Sequence, residues 1–206
     1  MYPALKALSW FVLSFTLLAG PHASAAPSWI WSRPLNKARS NEEVYFRKTF
    51  ELSENVKKAT LYGTCDNAMT VWINGKASAK SDVWQTPVLV DVKAHLRDGA
   101  NVIAVHGRND GGNIAGLFLK LDLELADGSK QAIESGTSWR FVSENPRGWR
   151  RADFDDSAWA TAVDLGPNGS GPWGTLGKGG APRKSEALAS DGVTAPAGFK
   201  VERIYN

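Results

Sequence analysis

The sequence predicts an all-β fold, an antiparallel β-sandwich or jelly roll of about eight strands with one or two short helical turns. Three observations carry this expectation. Several segments alternate apolar and polar residues with a period of two, which places one face in a core and the other in water. Gly, Asn and Asp stand between these segments at turn positions. No amphipathic stretch of about ten or more residues separates them, as a parallel α/β sheet would require.

The clearest strand is 116–126 (GLFLKLDLELA). Leu117, Leu119, Leu121, Leu123 and Leu125 alternate with Phe118, Lys120, Asp122 and Glu124. Asp127-Gly128 follows as a hairpin signal, and 131–135 returns beside it. In 44–52 (VYFRKTFEL), Val44, Phe46, Phe50 and Leu52 share one face with Lys48 between them. Segments 59–63 and 69–73 are two further strands, the second closed by Asn74-Gly75, a pair that accepts positive φ. Segment 88–92 is another. Segment 101–106 (NVIAVH) is apolar almost throughout and reads as a central strand covered on both faces. Segment 138–142 (SWRFV) completes the set. Helical hints are confined to 95–97 and 155–160, the latter with Asp at the capping positions.

Composition narrows the function classes. The 206 residues suffice for one domain and a sizeable core. Twenty-four Lys and Arg against 21 Asp and Glu give a net charge of +3, with no basic block, so nucleic acid is not an expected partner. A single Cys excludes a disulfide framework, a CxxC redox pair, a CxxCH haem site and a Cys-based zinc site within the chain. Cys65 reads as a buried, inert side chain. The 20 Gly and 10 Pro suit a turn-rich β protein.

Residues 1–26 read as a secretory signal peptide. Lys6 precedes an apolar run over 7–20, too short to span a bilayer of about 30 Å, and Ala23-Ser24-Ala25 supplies small residues at a cleavage site. A secreted or periplasmic protein with no membrane association after cleavage is expected. Residues 27–175 form the sandwich. From Gly166 the chain turns Gly-, Pro- and Ser-rich, as a surface wrap; 176–206 reads as a Gly/Pro/Ala-rich linker and the start of a further domain.

Several stretches, in order, carry a resemblance: 45–50 (YFRKTF), 59–61 (ATL), 65–67 (CDN), 71–75 (VWING), 91–92 with 95–96, and 101–105 (NVIAV), then Gly148-Trp149, 153–159 (DFDDSAW) and 171–174 (GPWG). The set resembles the galactose-binding-like β-sandwich found as an accessory domain in bacterial glycosidases, notably the N-terminal domain of α-L-rhamnosidases. That fold hosts binding, spacing and docking roles, so the resemblance implies the architecture more than the task. Residues 195–202 (APAGFKVE) resemble the opening of large secreted dehydrogenase-like β-propeller proteins of planctomycete-type bacteria. Those carry such a sandwich in front and a haem segment far downstream, for which this chain has no matching residues.

The segment 106–113 (HGRNDGGN) reads as a loop leaving a central strand, with His106, Arg108, Asn109 and Asn113 as polar ligands among three glycines. Its alternative is a solvated hairpin loop. Asp66 and Asn67 either cap a turn or grip sugar hydroxyls. Trp29, Trp31, Trp72, Trp84, Trp149 and Trp173 offer rings for stacking on a sugar, with Trp31, Trp72 and Trp173 as the leading candidates; most belong in a core, leaving one or two as platforms. Asp153, Asp155 and Asp156 suit either a Ca²⁺ ion or the capping of a short helix. No other cofactor is expected.

No nucleophile elbow, HExxH or phosphate loop is present, and the carboxylates Glu42-Glu43 and Asp155-Asp156 are sequence neighbours, a spacing that does not place them opposite each other across a glycosidic bond. The expected function is a non-catalytic carbohydrate-binding or carbohydrate-associated module of an exported protein, with a glycan, a neighbouring domain or a partner protein as its contacts. One alternative is a structural module that packs on a neighbour through an apolar patch. A minimal hydrolase, the other alternative, would need His106 beside a carboxylate in a cleft.

Overall fold

The computed structural model describes residues 26–53, 55–176 and 183–185. Of the stretch 1–26 read above as a signal peptide, residues 1–25 lie outside the described residues, as does the stretch 195–202. Strands run in the order β1 Ser28–Trp31, β2 Glu42–Leu52, β3 Val56–Asp66, β4 Ala68–Ile73, β5 Lys76–Ser81, β6 Val88–Asp91, β7 Gly99–Asn109, β8 Gly116–Leu125, β9 Lys130–Glu134, β10 Arg140–Val142, β11 Ala160–Thr161, β12 Val163–Pro167 and β13 Arg183–Ser185. They form two sheets. One has the order β12-β1-β8-β3-β6-β13, with β9 also on β8; the other is β11-β10-β2-β7-β4-β5. Every pairing is antiparallel except β13 with β6. No helix among the described residues is long and apolar enough to cross a membrane.

The sandwich is therefore as expected, but with thirteen strands among the described residues instead of about eight. The additional ones, β1, β5, β11, β12 and β13, have two to six residues each and lie at or near sheet edges. Edge strands of that length carry too little alternation to be read. β13 falls within 176–206, the stretch expected to be a linker, of which only 176 and 183–185 are among the described residues. The helical turn expected at 155–160 is absent: Asp155 accepts from the Ser157 N–H at 2.9 Å, a local turn that competes with helix. The two 3-10 turns lie at Lys93–His95 and at Gly171–Trp173.

Leu117, Leu119, Leu121, Leu123 and Leu125 are buried in one core with Val44, Phe46, Phe50, Val71, Ile73, Ile103 and Val105 of the facing sheet. β7 lies between β2 and β4, as its unbroken apolar run requires. Asn74 and Gly75 both take positive φ, at 52° and 81°, closing the β4–β5 hairpin.

Each sheet carries a second, smaller cluster on its outer face. On the seven-stranded sheet, Trp173 stacks on Trp29 with ring centroids 4.2 Å apart, beside Phe118 and Leu176. The segment after β12 is thus a wrap, pinned by Trp173. Gly116 makes this possible: a Cβ there would stand 2.8 Å from the Trp173 ring. On the six-stranded sheet, Trp149 packs on Tyr45 and Ala104, with Trp72, Phe154 and Trp159 at its margin. Arg47 holds that segment down. Its side chain is fully buried and donates to Asp156 Oδ2 at 2.7 Å and to the carbonyls of Trp149, Arg151 and Phe154.

Replacing Leu121 by Asp should abolish the cooperative thermal transition, because it places an uncompensated charge in the core. Lys120→Asp, on the outer face beside Asp122 and Glu134, should fold and lose about 1 kcal/mol or less from like-charge contact. Equal losses for both in denaturant titrations would contradict the face assignment.

Candidate functional site

The expected site residues divide between one end of the sandwich and the outer face of the six-stranded sheet. At the end lies the tight β3–β4 connection, where the Asp66–Asn67 peptide is cis. Trp173 Nε1 donates to Asp66 Oδ2 at 2.9 Å. The Asn67 N–H donates to the Arg108 carbonyl at 2.9 Å, and the Asp110 N–H donates to Asn67 Oδ1 at 2.8 Å. Both side chains are half-buried, and each is held through one atom only. Asp66 Oδ1 and Asn67 Nδ2 have no partner among the described residues and stay open to solvent. Burial raises the Asp66 carboxyl above its ordinary range, with the Trp173 hydrogen bond opposing.

Residues 106–109 are not a loop. They extend β7, and the loop begins at Asp110. Asn109 is fully buried and serves that loop. Its Nδ2 donates to the carbonyls of Arg39 at 2.8 Å and Gly112 at 3.3 Å, and its Oδ1 accepts from the Gly111 N–H. Asn109 is therefore a brace and not a ligand contact. Asn113 is exposed, and its carbonyl accepts from the Ala38 N–H at 3.1 Å.

The tryptophans also need correction. Trp31 is fully buried, its indole donating to Glu42 Oε2 at 3.1 Å. Trp173 is spent on Trp29 and Asp66. Neither shows a face to a ligand, because large apolar rings gain most where water is fully excluded. Of the six candidate rings only Trp72 and Trp84 are partly exposed. Trp84 packs at the margin of the Trp173 cluster, its carbonyl accepting from Thr64 Oγ1 at 2.9 Å.

The second group follows from strand register. Tyr45, His106, Thr70 and Lys80 stand side by side across β2, β7, β4 and β5. The His106 ring stacks on Tyr45 at 4.7 Å, nearly parallel. Tyr45 donates its hydroxyl to Glu43 Oε2 at 2.9 Å, and His106 Nε2 lies 3.4 Å from the same oxygen. Burial and the bond to Glu43 push the Tyr45 hydroxyl up to about 12. Burial lowers His106 against the pull of Glu43, with Arg108 and Arg150 adding to the lowering. A cleft of about 190 Å³ is lined by Thr70, Lys80, Asp82, His106 and Arg108. Arg108 is half-exposed and paired with Asp110 at 2.5 Å. Trp72, two residues beyond Thr70, is covered by the Arg150 guanidinium, 3.7 Å from its ring centroid. Sequence reasoning missed Glu43 and Arg150. Glu43 shares strand parity with Tyr45 and was accessible that way, whereas nothing local marks Arg150.

The carboxylates proposed for calcium have separate duties. Asp153 pairs with Arg151 at 2.9 Å, Asp155 holds a turn, and Asp156 receives Arg47. His106 does stand beside a carboxylate and lines the adjoining cleft, its Nε2 buried and 3.4 Å from Glu43 Oε2.

No protein-family model matches the chain. Over 159 residues, 72% of this chain, it is 36% identical to an α-L-rhamnosidase of Streptomyces avermitilis. The crystal structure of the Streptomyces avermitilis enzyme complexed with L-rhamnose superposes with a TM-score of 0.69 and 33% identity, covering 76% of this chain and 16% of that one. The described domain is a galactose-binding-like sandwich homologous to part of the α-L-rhamnosidases. The chain spans 15% of the length of that relative, and 20% of an α-L-rhamnosidase of Alteromonas sp. (strain LOR) that is 24% identical over 66% of this chain. A lectin of Pleurotus ostreatus shares the sandwich at a TM-score of 0.64 and 26% identity, over 72% of this chain and 44% of the lectin.

The His106 environment makes stability pH-dependent. Its folded pKa lies below the unfolded value of about 6.5. Above that pH both states are neutral and stability is full. As pH falls below about 6.5, the unfolded chain takes up the proton first and stability declines until the folded value is passed. Melting temperatures at pH 7.5 and 5.5 should drop more for the parent than for His106→Gln; equal drops would place the sensitivity elsewhere.

Proposed function

We propose that the chain is a non-catalytic carbohydrate-binding module of an exported protein, a larger glycosidase by its relatives. The sugar site lies at the sandwich end built from Asp66 and Asn67. The observation that carries this reading is the half-held pair itself. Trp173 fixes one carboxylate oxygen of Asp66, and the Asp110 N–H fixes the amide oxygen of Asn67. An oriented acceptor and an oriented donor then face solvent on adjacent residues. Neighbouring hydroxyls of a sugar present the complementary set. Trp84 supplies a partly exposed ring at the margin of the same cluster, suited to the apolar face of a sugar. Homology to α-L-rhamnosidases and likeness to a lectin support a saccharide as the ligand.

The packing-module alternative expects an exposed apolar patch. Among the described residues the one large apolar side chain exposed is Val83, at 40%. That favours binding through polar groups over docking through an apolar face.

Affinity should be modest, with a Kd on the order of 10 µM to 1 mM, as expected for few contacts offsetting lost ligand and side-chain freedom. Calorimetry against a panel that includes L-rhamnose and galactosides should detect it. Asp66→Asn should weaken binding about tenfold or more with little change in melting temperature, since a charge-assisted hydrogen bond is lost while the indole keeps an acceptor. Affinity should also fall as pH drops through the raised pKa of Asp66, starting above the range of an ordinary aspartate. A parent that binds no saccharide, or an Asp66→Asn variant that binds as the parent does, would overturn this site.

Export is the other half of the proposal. N-terminal sequencing of protein from its native host should find Ala26 or Pro27 first. An intact N-terminus recovered with membranes would argue for an anchor instead.

A further inference from the structure

Arg150 is the anomaly on the outer face of the six-stranded sheet. The guanidinium groups of Arg47, Arg108 and Arg151 meet carboxylates, Arg33 lies 3.4 Å from Glu42, and Arg97 and Arg140 meet carbonyls. Arg39 and Arg147 are exposed to water. Arg150 is half-buried and has no hydrogen-bond acceptor among the described residues; its Nε is buried and unpartnered. Its only close contacts of this kind are the rings of Trp72 at 3.7 Å and Trp149 at 5.5 Å. Stacking offsets part of the desolvation cost and holds the planar fork in one orientation. A fork held in that way, lacking the anion it fits, has the form of half an ion pair.

The surroundings indicate what completes it. Trp72 and Thr70 are two residues apart on the same face of β4, so Thr70 stands about 7 Å from the stack along the strand. Arg150 itself borders a shallow depression with Trp149 and Asn145, and Thr70, Lys80, Asp82, His106 and Arg108 line a separate cleft on the same sheet face, mixing donors and an acceptor as hydroxyl groups require. The acidic neighbours are Glu43, tied to the Tyr45 hydroxyl, and Asp82. We propose that this face is a second saccharide site, distinct from the Asp66 end, which takes a carboxylate-bearing sugar. Its carboxylate sits on the Arg150 fork and its ring hydroxyls in the Thr70–Lys80–Asp82 cleft. A carboxylate from a protein side chain would use the fork but leave the cleft's polar groups unanswered, which favours a uronate.

Calorimetric titration of the full mature chain with a galacturonate trimer, its neutral methyl ester and a glutamate-rich peptide tests this. The trimer should bind with a Kd on the order of 10 µM to 1 mM, and the ester and peptide about tenfold or more weaker. Arg150→Gln should lose the trimer by a similar factor. Arg150→Lys, which keeps the charge without the planar fork, should lose most of it and gives a second reading should the Gln variant melt early. Asp66→Asn should bind the trimer as the parent does, which separates this site from the other. Absence of trimer binding, equal binding of the ester, or unchanged binding in the folded Arg150 variants would overturn the proposal. Equal binding of the peptide would overturn it in favour of a protein contact.

Discussion

The buried guanidinium of Arg47 is the interaction on which the outer half of this molecule depends. A charge without solvent is tolerable only when its donors are met, and Arg47 meets Asp156 and three carbonyls of the segment 149–156. That segment has no regular structure to satisfy its own carbonyls. Arg47 answers them from the centre of β2, and Phe154 and Trp159 close over the guanidinium with ring centroids 5.0 and 6.0 Å away. Truncating it would strand a partly buried carboxylate, a loss of about 3 to 5 kcal/mol by comparison with broken buried pairs. Lysine would not serve, since a point charge cannot reach several carbonyls in a plane.

The same logic recurs around the molecule. Glu42 is buried, and burial alone would raise its carboxyl; the Arg39 N–H, the Ser32 hydroxyl, the Trp31 indole and Arg33 together lower it instead. The result ties the segment between β1 and β2 to the core. Asn109 braces the loop after β7, and Trp173 clamps the C-terminal wrap onto Asp66. Irregular segments supply unpaired backbone groups, and single buried polar side chains gather them. Both candidate saccharide sites lie beside such braces. Asp66 and Asn67 owe their orientation to Trp173 and Asp110, and Arg150 belongs to the segment that Arg47 holds down. Binding groups placed this way lose little freedom when a ligand arrives.

Stability is built in layers. The central core joins the two sheets through aliphatic residues together with Trp31, Phe46, Phe50 and Trp139, while further aromatic clusters seal each outer face. Core and outer clusters together bury five of the eight tryptophans among the described residues, Trp29, Trp31, Trp139, Trp149 and Trp173. Glycine sets the spacing in two places. Gly116 admits the Trp29–Trp173 stack, and Gly107 leaves room for the Trp31 ring, which a Cβ would approach to 3.0 Å. The lone thiol, Cys65, is sealed in the core, and burial pushes its pKa upward.

The sequence by itself determined the sandwich, the inward leucines of β8, the central place of β7 and the Asn74-Gly75 hairpin. Period-two patterning and turn chemistry are local properties, readable from neighbours in the chain. It also placed Asp66 and Asn67 among the candidate ligands without choosing between turn and ligand roles. The tertiary structure decided what those residues face, because the partners of Asp66, Asn67 and Asn109 come from distant stretches of chain. It withdrew Trp31, Trp173 and Asn109 from the surface and brought Arg150 onto Trp72 and Arg47 onto the segment 149–156. Burial of a polar group depends on which remote backbone carbonyls it meets. That information has no period and no local signature, so only the folded chain could supply it.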